Sequence, residues 1–261
     1  MGSTYNTIQF EVSNGVATIA MNRPDRYNAF NEEMSFEMID ALKKCNRDDA
    51  VRVLVITGKG KAFCSGQDLK DVQGKKRSLA DSVRKRYNPM IKLICNMPKP
   101  IICQLNGVAA GAGCSLALAC DIIYASENAS LIEVFVNVGL VLDSGSSFFL
   151  PRAVGSKRAF ELATTARKMT MAEAHELGIV NKVVSADELP TEIATLAAFY
   201  AKSPTKAVGL IKKMLNKSFH SDLETMLEYE AYCQEIAGAS NDYKEGVNAF
   251  VEKRKPEFTG S

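Results

Sequence analysis

Two glycine-containing turns and one isolated carboxylate carry the chemistry that is legible in this chain. The first turn is Ala62-Phe63-Cys64-Ser65-Gly66-Gln67-Asp68-Leu69, which follows an apolar run at 51–57. The second is Asn106-Gly107-Val108-Ala109-Ala110-Gly111-Ala112-Gly113, which opens an apolar helical stretch at 111–120. Glycine lets the main chain approach a ligand closely. The first N–H groups of a helix have no helical partner and lie at the positive end of its dipole. Two such N–H groups, one from each turn, can converge on a single oxygen and form an oxyanion hole. The same small residues also suit tight helix–strand packing, and spacing alone leaves both readings open. The carboxylate is Asp143, in Gly139-Leu140-Val141-Leu142-Asp143-Ser144-Gly145-Ser146-Ser147. In an apolar pocket its pKa would rise and it could exchange protons. Aspartate is equally a preferred N-cap, and a helix is expected to start just after it.

Other chemistries are excluded by pattern. Gly111-Ala112-Gly113 has no third glycine at the dinucleotide-binding spacing, and neither GxxxxGK[ST] nor GxSxG occurs. The seven cysteines are odd in number, lie mostly in apolar contexts and form no CxxC pair. They read as reduced core residues of a cytoplasmic protein. With His175 and His220 far from them, no four clustered ligands suggest a metal. A net charge of +2, from 32 bases and 30 acids, argues against a nucleic-acid binder. No apolar run reaches the ~18 residues of a membrane span, and the polar opening does not read as a secretory signal.

The elements that must position these residues follow from periodicity. Alternating runs at 7–12 and 16–21 flank Ser13-Asn14-Gly15, a hairpin signal. Asn31 caps a helix with Met34, Met38, Ile39 and Leu42 on one face. Residues 51–57 (VRVLVIT) read as a buried strand, and 58–74 as too irregular for any element. A helix is predicted over 78–96, ended by Pro98 and Pro100, then strands at 101–105 and 121–125 around the helix at 111–120. This is a βα pattern with buried parallel strands. A glycine-containing turn segment covers 136–147. Beyond it the chain is mostly helical, at 156–166, 171–178, 186–203, 205–218, 221–237 and 241–254, with a strand near 180–184. We expect a core over 1–200 and a helical region over 201–261. Lys253-Arg254-Lys255 reads as a solvated helix end, or as a phosphate contact.

The ordered motifs resemble the crotonase (enoyl-CoA hydratase/isomerase) superfamily over roughly 5–258. Asn22-Arg23-Pro24 and Asn28-Ala29-Phe30 stand where that family carries N-R-P and N-A-L. Residues 63–69 resemble its F-C-A-G-x-D-L, residues 106–121 its N-G-x-A-x-G-G-G-x-x-L-A-x-x-C-D, and residues 250–255 its F-x-E-K-R-K. The resemblance implies an α/β fold, a spiral of ββα units with a helical C-terminal trimerisation region. It implies a homotrimer or homohexamer, and chemistry on a coenzyme A thioester through its enolate. No cofactor is implied beyond the coenzyme A of the substrate, and no metal, nucleic acid or membrane. Carried over by position, the carbonyl-binding N–H groups belong to Gln67 and to Ala112, where the family has glycine. Contacts to the acyl-CoA fall on Arg26, Asn28 and Ala29, on Lys61, Ala62 and Phe63, and on Ser65, Gly66, Asp68 and Leu69. Gly111, Ser115, Phe135 and Gly139 complete the acyl side, and a neighbouring subunit would add Phe250 and Lys253.

The two glutamates that hold water in the family's hydratases correspond here to Ser115 and Phe135, neither of them acidic; Glu133 is two residues off. Asp143 stands where several of the family's isomerases carry their acid. Residues 139–152 (GLVLDSGSSFFLPR) resemble the G-L-V-P-D-x-G stretch of ring-opening 1,2-epoxyphenylacetyl-CoA isomerases, with Leu142 in place of proline. The resemblance thus implies an acyl-CoA isomerase with Asp143 as acid and base. The substrate is expected to be that ring epoxide or an enoyl-CoA, with Phe135, Phe148 and Phe149 as a dry wall. The alternatives are an enoyl-CoA hydratase with a non-standard base and a non-catalytic acyl-CoA-binding homologue.

Overall fold

In the computed structural model, which describes residues 5–72 and 78–261, the hairpin strands β1 (Ile8–Ser13) and β2 (Val16–Met21) pair antiparallel. Asn14 and Gly15 both take positive φ, 51° and 79°, as a tight Asn-Gly turn requires. Helix α1 (Glu32–Arg47) starts where Asn31 accepts the Met34 N–H, and it buries Met34, Met38, Ile39 and Leu42.

From there the chain repeats one unit three times. Strand β3 (Val53–Gly58) is followed by the short β4 (Ala62–Cys64) and then by α2 (Leu69–Val72), α3 (Leu79–Ser82) and α4 (Asn88–Asn96). Strands β5 (Ile101–Leu105) and β6 (Val108–Ala110) lead into α5 (Ala112–Leu118). Strands β7 (Ile122–Ser126) and β8 (Ser130–Ile132) lead through a 3-10 turn, Val134–Val138, into α6 (Ser146–Thr165). The first strand of each unit joins one sheet and the second joins another. With β9 (Met169–Thr170), α7 (Met171–Glu176) and β10 (Lys182–Val184) added, the sheet orders are β1-β2-β3-β5-β7-β10 and β4-β6-β8-β9. All pairs are parallel except β1 with β2 and β8 with β9. This is the ββα spiral that the resemblance implies. Three successive turns of it bring the C-terminal ends of β4, β6 and β8 side by side.

The sequence reading misses the second sheet. Residues 58–74 hold β4, and β6, β8 and β9 were likewise not expected. Strands of two or three residues show no period, and β4 is buried throughout. The helix expected over 78–96 is also interrupted. Val83–Tyr87 form a π turn in which the Asn88 N–H reaches back to the Val83 carbonyl. The cause lies in Pro89, which has no N–H and whose ring would press on the carbonyl four residues earlier. Helix α6 starts at Ser146, just after Asp143 as the N-cap reading supposes, and takes in the helix expected at 156–166. It breaks at Gly155, where φ is 77°.

Four more helices complete the chain: α8 (Leu189–Ala201), α9 (Thr205–Ser218), α10 (Leu223–Gly238) and α11 (Asn241–Glu252). Helix α8 packs Leu189, Ile193 and Ala197 on the outer face of the first sheet, against Val53, Val55 and Ile102. The main core lies on the other face, under α1 and α4 and between the two sheets. Buried Lys212 ties α9 to this body. Its ammonium reaches Asp121 at 2.7 Å and the Ile94 carbonyl at 2.8 Å, and Asp121 also accepts the Ile101 N–H. No helix among the described residues is long and apolar enough to cross a membrane.

Candidate active site

The turn after β4 is stitched to residue 30. The Phe30 N–H donates to the Gly66 carbonyl at 2.7 Å, and the Phe30 carbonyl accepts the Asp68 N–H at 2.9 Å. In a parallel bridge of this kind the intervening residue turns its own N–H the other way. The Gln67 N–H therefore faces away from Phe30 and has no acceptor among the described residues. The turn after β6 ends at Gly111, at φ +52°, and Ala112 is the first residue of α5, so its N–H has no helical partner by position. The two turns touch. A side-chain carbon at Gly66 would stand 2.8 Å from the Ala110 carbonyl and 3.5 Å from the Ala112 nitrogen. One at Gly113 would stand 2.1 Å from the Cys64 carbonyl. The glycines thus meet both readings at once: they permit the packing, and the packing brings two free N–H groups together. Donors so placed can bind one oxygen.

Asp143 is not the cap of α6. The helix begins at Ser146 after Gly145, and the Asp143 side chain makes no bond to its first turn. Instead Oδ1 accepts the Ser144 hydroxyl at 2.8 Å. The Asp143 main-chain carbonyl accepts the Ser146 N–H at 3.0 Å and the Ser115 hydroxyl at 3.1 Å. Ser115 is fully buried on α5, so it joins the acid's loop to the helix whose first N–H is free. Burial pushes the Asp143 carboxyl up from the ordinary carboxylate range, and the Ser144 hydroxyl pulls it partly back. Ser144 already sits at φ +53°, so Ser144→Ala adds little backbone strain. It removes the one hydrogen bond to the carboxylate among the described residues. The acid limb of any activity that needs ionised Asp143 should then move to higher pH, as read from the kcat–pH profile.

Gln67, Ala112 and Asp143 line one cavity of about 440 Å³. Ser65, Gly66, Leu69, Gly111 and Phe135, all expected at the site, line it as well. Its remaining wall was not foreseen. Leu79, Val83 and Tyr87 come from α3 and the π turn, Val138 from the end of the 3-10 turn, and Leu140 and Val141 from the loop before the acid. None of these stretches has a pattern that marks a pocket. Phe148 and Phe149, expected in the wall, are not there. Lying in the first turn of α6, Phe148 stacks on His220 beneath Arg152, and Phe149 lines a different depression beside Lys212.

The other expected residues divide into a rim and a remote end. Asn28 is fully buried and structural. Its amide donates to the Lys59 and Ala62 carbonyls, and its Oδ1 accepts the Arg23 N–H. Ala29 is buried beside it, with its carbonyl bonded to the Arg23 guanidinium. That guanidinium also pairs with Asp68 at 2.9 Å. Ala62 and Phe63 are buried in β4, while Arg26 and Lys61 are exposed beside this edge. Gly139, at φ +70°, ends the 3-10 turn. Phe250 and Lys253 lie on and just after α11. Phe250 is 85% exposed and lines a separate groove with Tyr243 and Val247, away from the cavity within one chain.

Glu133 is a second buried acid. Its Oε1 accepts the Ser146 hydroxyl at 2.5 Å and the Cys114 thiol at 3.4 Å. It borders a small space behind α5 with Arg167 and Met169, not the cavity. Burial pushes its carboxyl up.

Residues 11–261 match the family described as enoyl-CoA hydratase/isomerase. The chain is 43% identical over 253 residues to a 1,2-epoxyphenylacetyl-CoA isomerase of Escherichia coli, covering 95% of this chain and 97% of that one. It is 36% identical over 255 residues to a crotonyl-CoA hydratase of Syntrophomonas wolfei, covering 97% and 98%. Among solved structures, an enoyl-CoA hydratase from Bacillus anthracis superposes with a TM-score of 0.92 at 32% identity, covering 98% and 100%.

Proposed function

The chain belongs to the enoyl-CoA hydratase/isomerase family, and from that premise we propose that it is an acyl-CoA isomerase working with a single carboxylate. The observation that carries this reading is the lining of the cavity, which holds Gln67, Ala112 and Asp143; of the two positions that the resemblance gives to a hydratase's glutamates, Phe135 lines the cavity and Ser115 is buried in α5 outside its lining. Glu133, turned behind α5, does not fill that gap.

In this reading the thioester oxygen lies between the N–H groups of Gln67 and Ala112. Each donor lowers the cost of enolate charge by ~3–4 kcal/mol. Asp143 takes a proton from the carbon next to the thioester, and the electron pair moves onto the carbonyl oxygen. The enolate collapses as the same carboxyl returns the proton to another carbon, which shifts a double bond. With a ring epoxide, the returning electron pair instead forms a C=C bond to the adjacent ring carbon and expels the epoxide oxygen from it, and that oxygen takes the proton back from Asp143. No water is added and no electrons are lost. The apolar wall of Leu69, Val83, Phe135 and Val138 suits a ring or an alkenyl chain, and the similarity to the epoxide isomerase favours the ring epoxide. Lys61 and the 26–30 segment would receive the coenzyme A moiety. Leu223, Leu227, Val247 and Phe250, exposed on the last helices, would bury against neighbouring subunits of a trimer or hexamer and bring Phe250 and Lys253 to a neighbour's nucleotide. The compartment we infer is the cytoplasm.

The test is incubation with 3-enoyl-, 2-enoyl- and ring-epoxide CoA thioesters in heavy water, followed by mass spectrometry. Isomerised product with exchanged deuterium and no added water is expected. Addition of one water to crotonyl-CoA, untouched by loss of Asp143, would make the protein a hydratase. Binding without exchange would make it a non-catalytic acyl-CoA binder.

A further inference from the structure

The proton transfers above leave Tyr87 without a task, although it faces the cavity. It ends the π turn and is 3% exposed, with its ring edge-on to Phe30 at 5.8 Å. Its hydroxyl donates to Gln67 Oε1 at 2.5 Å. The other end of that carboxamide is also fixed: Nε2 donates to the Phe30 carbonyl at 2.9 Å and to the Asp68 carbonyl at 3.1 Å. The Gln67 side chain therefore bonds back onto the two residues that stitch its own turn, and the phenol closes the set. Burial pushes the Tyr87 phenol up, Arg86 opposes this, and the Asp143 carboxylate across the cavity adds to it. The hydroxyl accordingly keeps its proton and stays a donor.

We propose that Tyr87 is a positioning residue for the carbonyl-binding turn, acting through the Gln67 carboxamide to aim the Gln67 main-chain N–H at the thioester oxygen. This rests on the role given to Gln67 above. An oxyanion donor works only over a narrow range of positions, and its worth grows as charge develops. A loosened turn therefore costs more in the transition state than in substrate binding.

The experiment uses Tyr87→Phe, which keeps the ring and its packing. The probe is cinnamoyl-CoA, whose absorption moves to the red when its carbonyl is polarised. Wild type should shift it strongly. Tyr87→Phe should bind it but shift it less, with kcat for the isomerised substrate down about tenfold, a fraction of what loss of a whole donor costs. KM and the melting temperature should hardly move. In a Gln67→Met background, Tyr87→Phe should have no further effect, because the two act as one unit. A full red shift and full kcat in Tyr87→Phe would overturn the proposal alone. Additive losses in the double variant would overturn it too, by showing that the phenol acts on the acyl group directly. No shift in wild type would remove the carbonyl-binding reading beneath it.

Discussion

Asp143→Asn should lower isomerisation turnover by at least ~10²-fold, the low end for general acid–base work. Asparagine keeps the size of the side chain and still accepts the Ser144 hydroxyl, but it cannot hold the migrating proton. Substrate binding should persist, because the carbonyl donors and the apolar wall are untouched, so the loss should fall on kcat. Stability gives an independent check, and its sign follows from burial. The folded-state pKa of Asp143 is raised, so the folded protein binds this proton more tightly than the unfolded chain. The resulting stabilisation is fully present below the unfolded pKa and is lost as pH rises through the folded one. At neutral pH the buried carboxylate is then a net cost. Asp143→Asn should melt at or above the wild-type temperature there, with the difference shrinking toward acid. Steady-state kinetics and thermal melts at acidic and neutral pH test both parts. Full turnover in the variant would leave Asp143 a structural residue and remove the single base on which the mechanism rests.

How much of this was legible in the sequence depended on the length of each signal. The hairpin, the Asn31 cap and the long strands of the first sheet span enough residues to show a period or a turn pair. Strands β4, β6 and β8 do not, although they carry the turns that present Gln67 and Ala112. From residues alone those turns left packing and carbonyl binding both open. Only the ordered resemblance separated them, and the geometry explains why spacing alone did not: Gly66 and Gly113 pack tightly at the same place where the Gln67 and Ala112 N–H groups lie. Asp143 was ambiguous until the start of α6 was fixed at Ser146. Of the expected aromatic wall Phe135 lines the cavity, whereas Phe148 and Phe149 belong to that helix and point elsewhere. Tyr87 carries no signal of its own because the run at 78–96 reads as one helix, although Asn88-Pro89 within it signals a disturbed turn. Ser115, read as a vacated glutamate position, turns out to fasten the acid's loop to α5.

Gly66→Val should cost at least ~10²–10³ in kcat, the range for losing an oxyanion donor. Two effects combine. At φ +92° any side chain with a Cβ strains the main chain. A Cβ at this position would also lie 2.8 Å from the Ala110 carbonyl, so the β4 and β6 turns must move apart. Because the two proposed donors sit one on each turn, that separation widens the distance an oxygen has to bridge. Strain alone is measured by a control. Gly178 has φ +76° and nothing within 4 Å of where its Cβ would be, so Gly178→Val carries similar strain without crowding. It should cost ~1–2 kcal/mol of stability and leave turnover unchanged. If the two valine variants lost activity in proportion to their loss of stability, the glycines would be packing residues and nothing more. If Gly66→Val alone lost turnover, the contact between the turns would be what holds the two N–H groups at one oxygen.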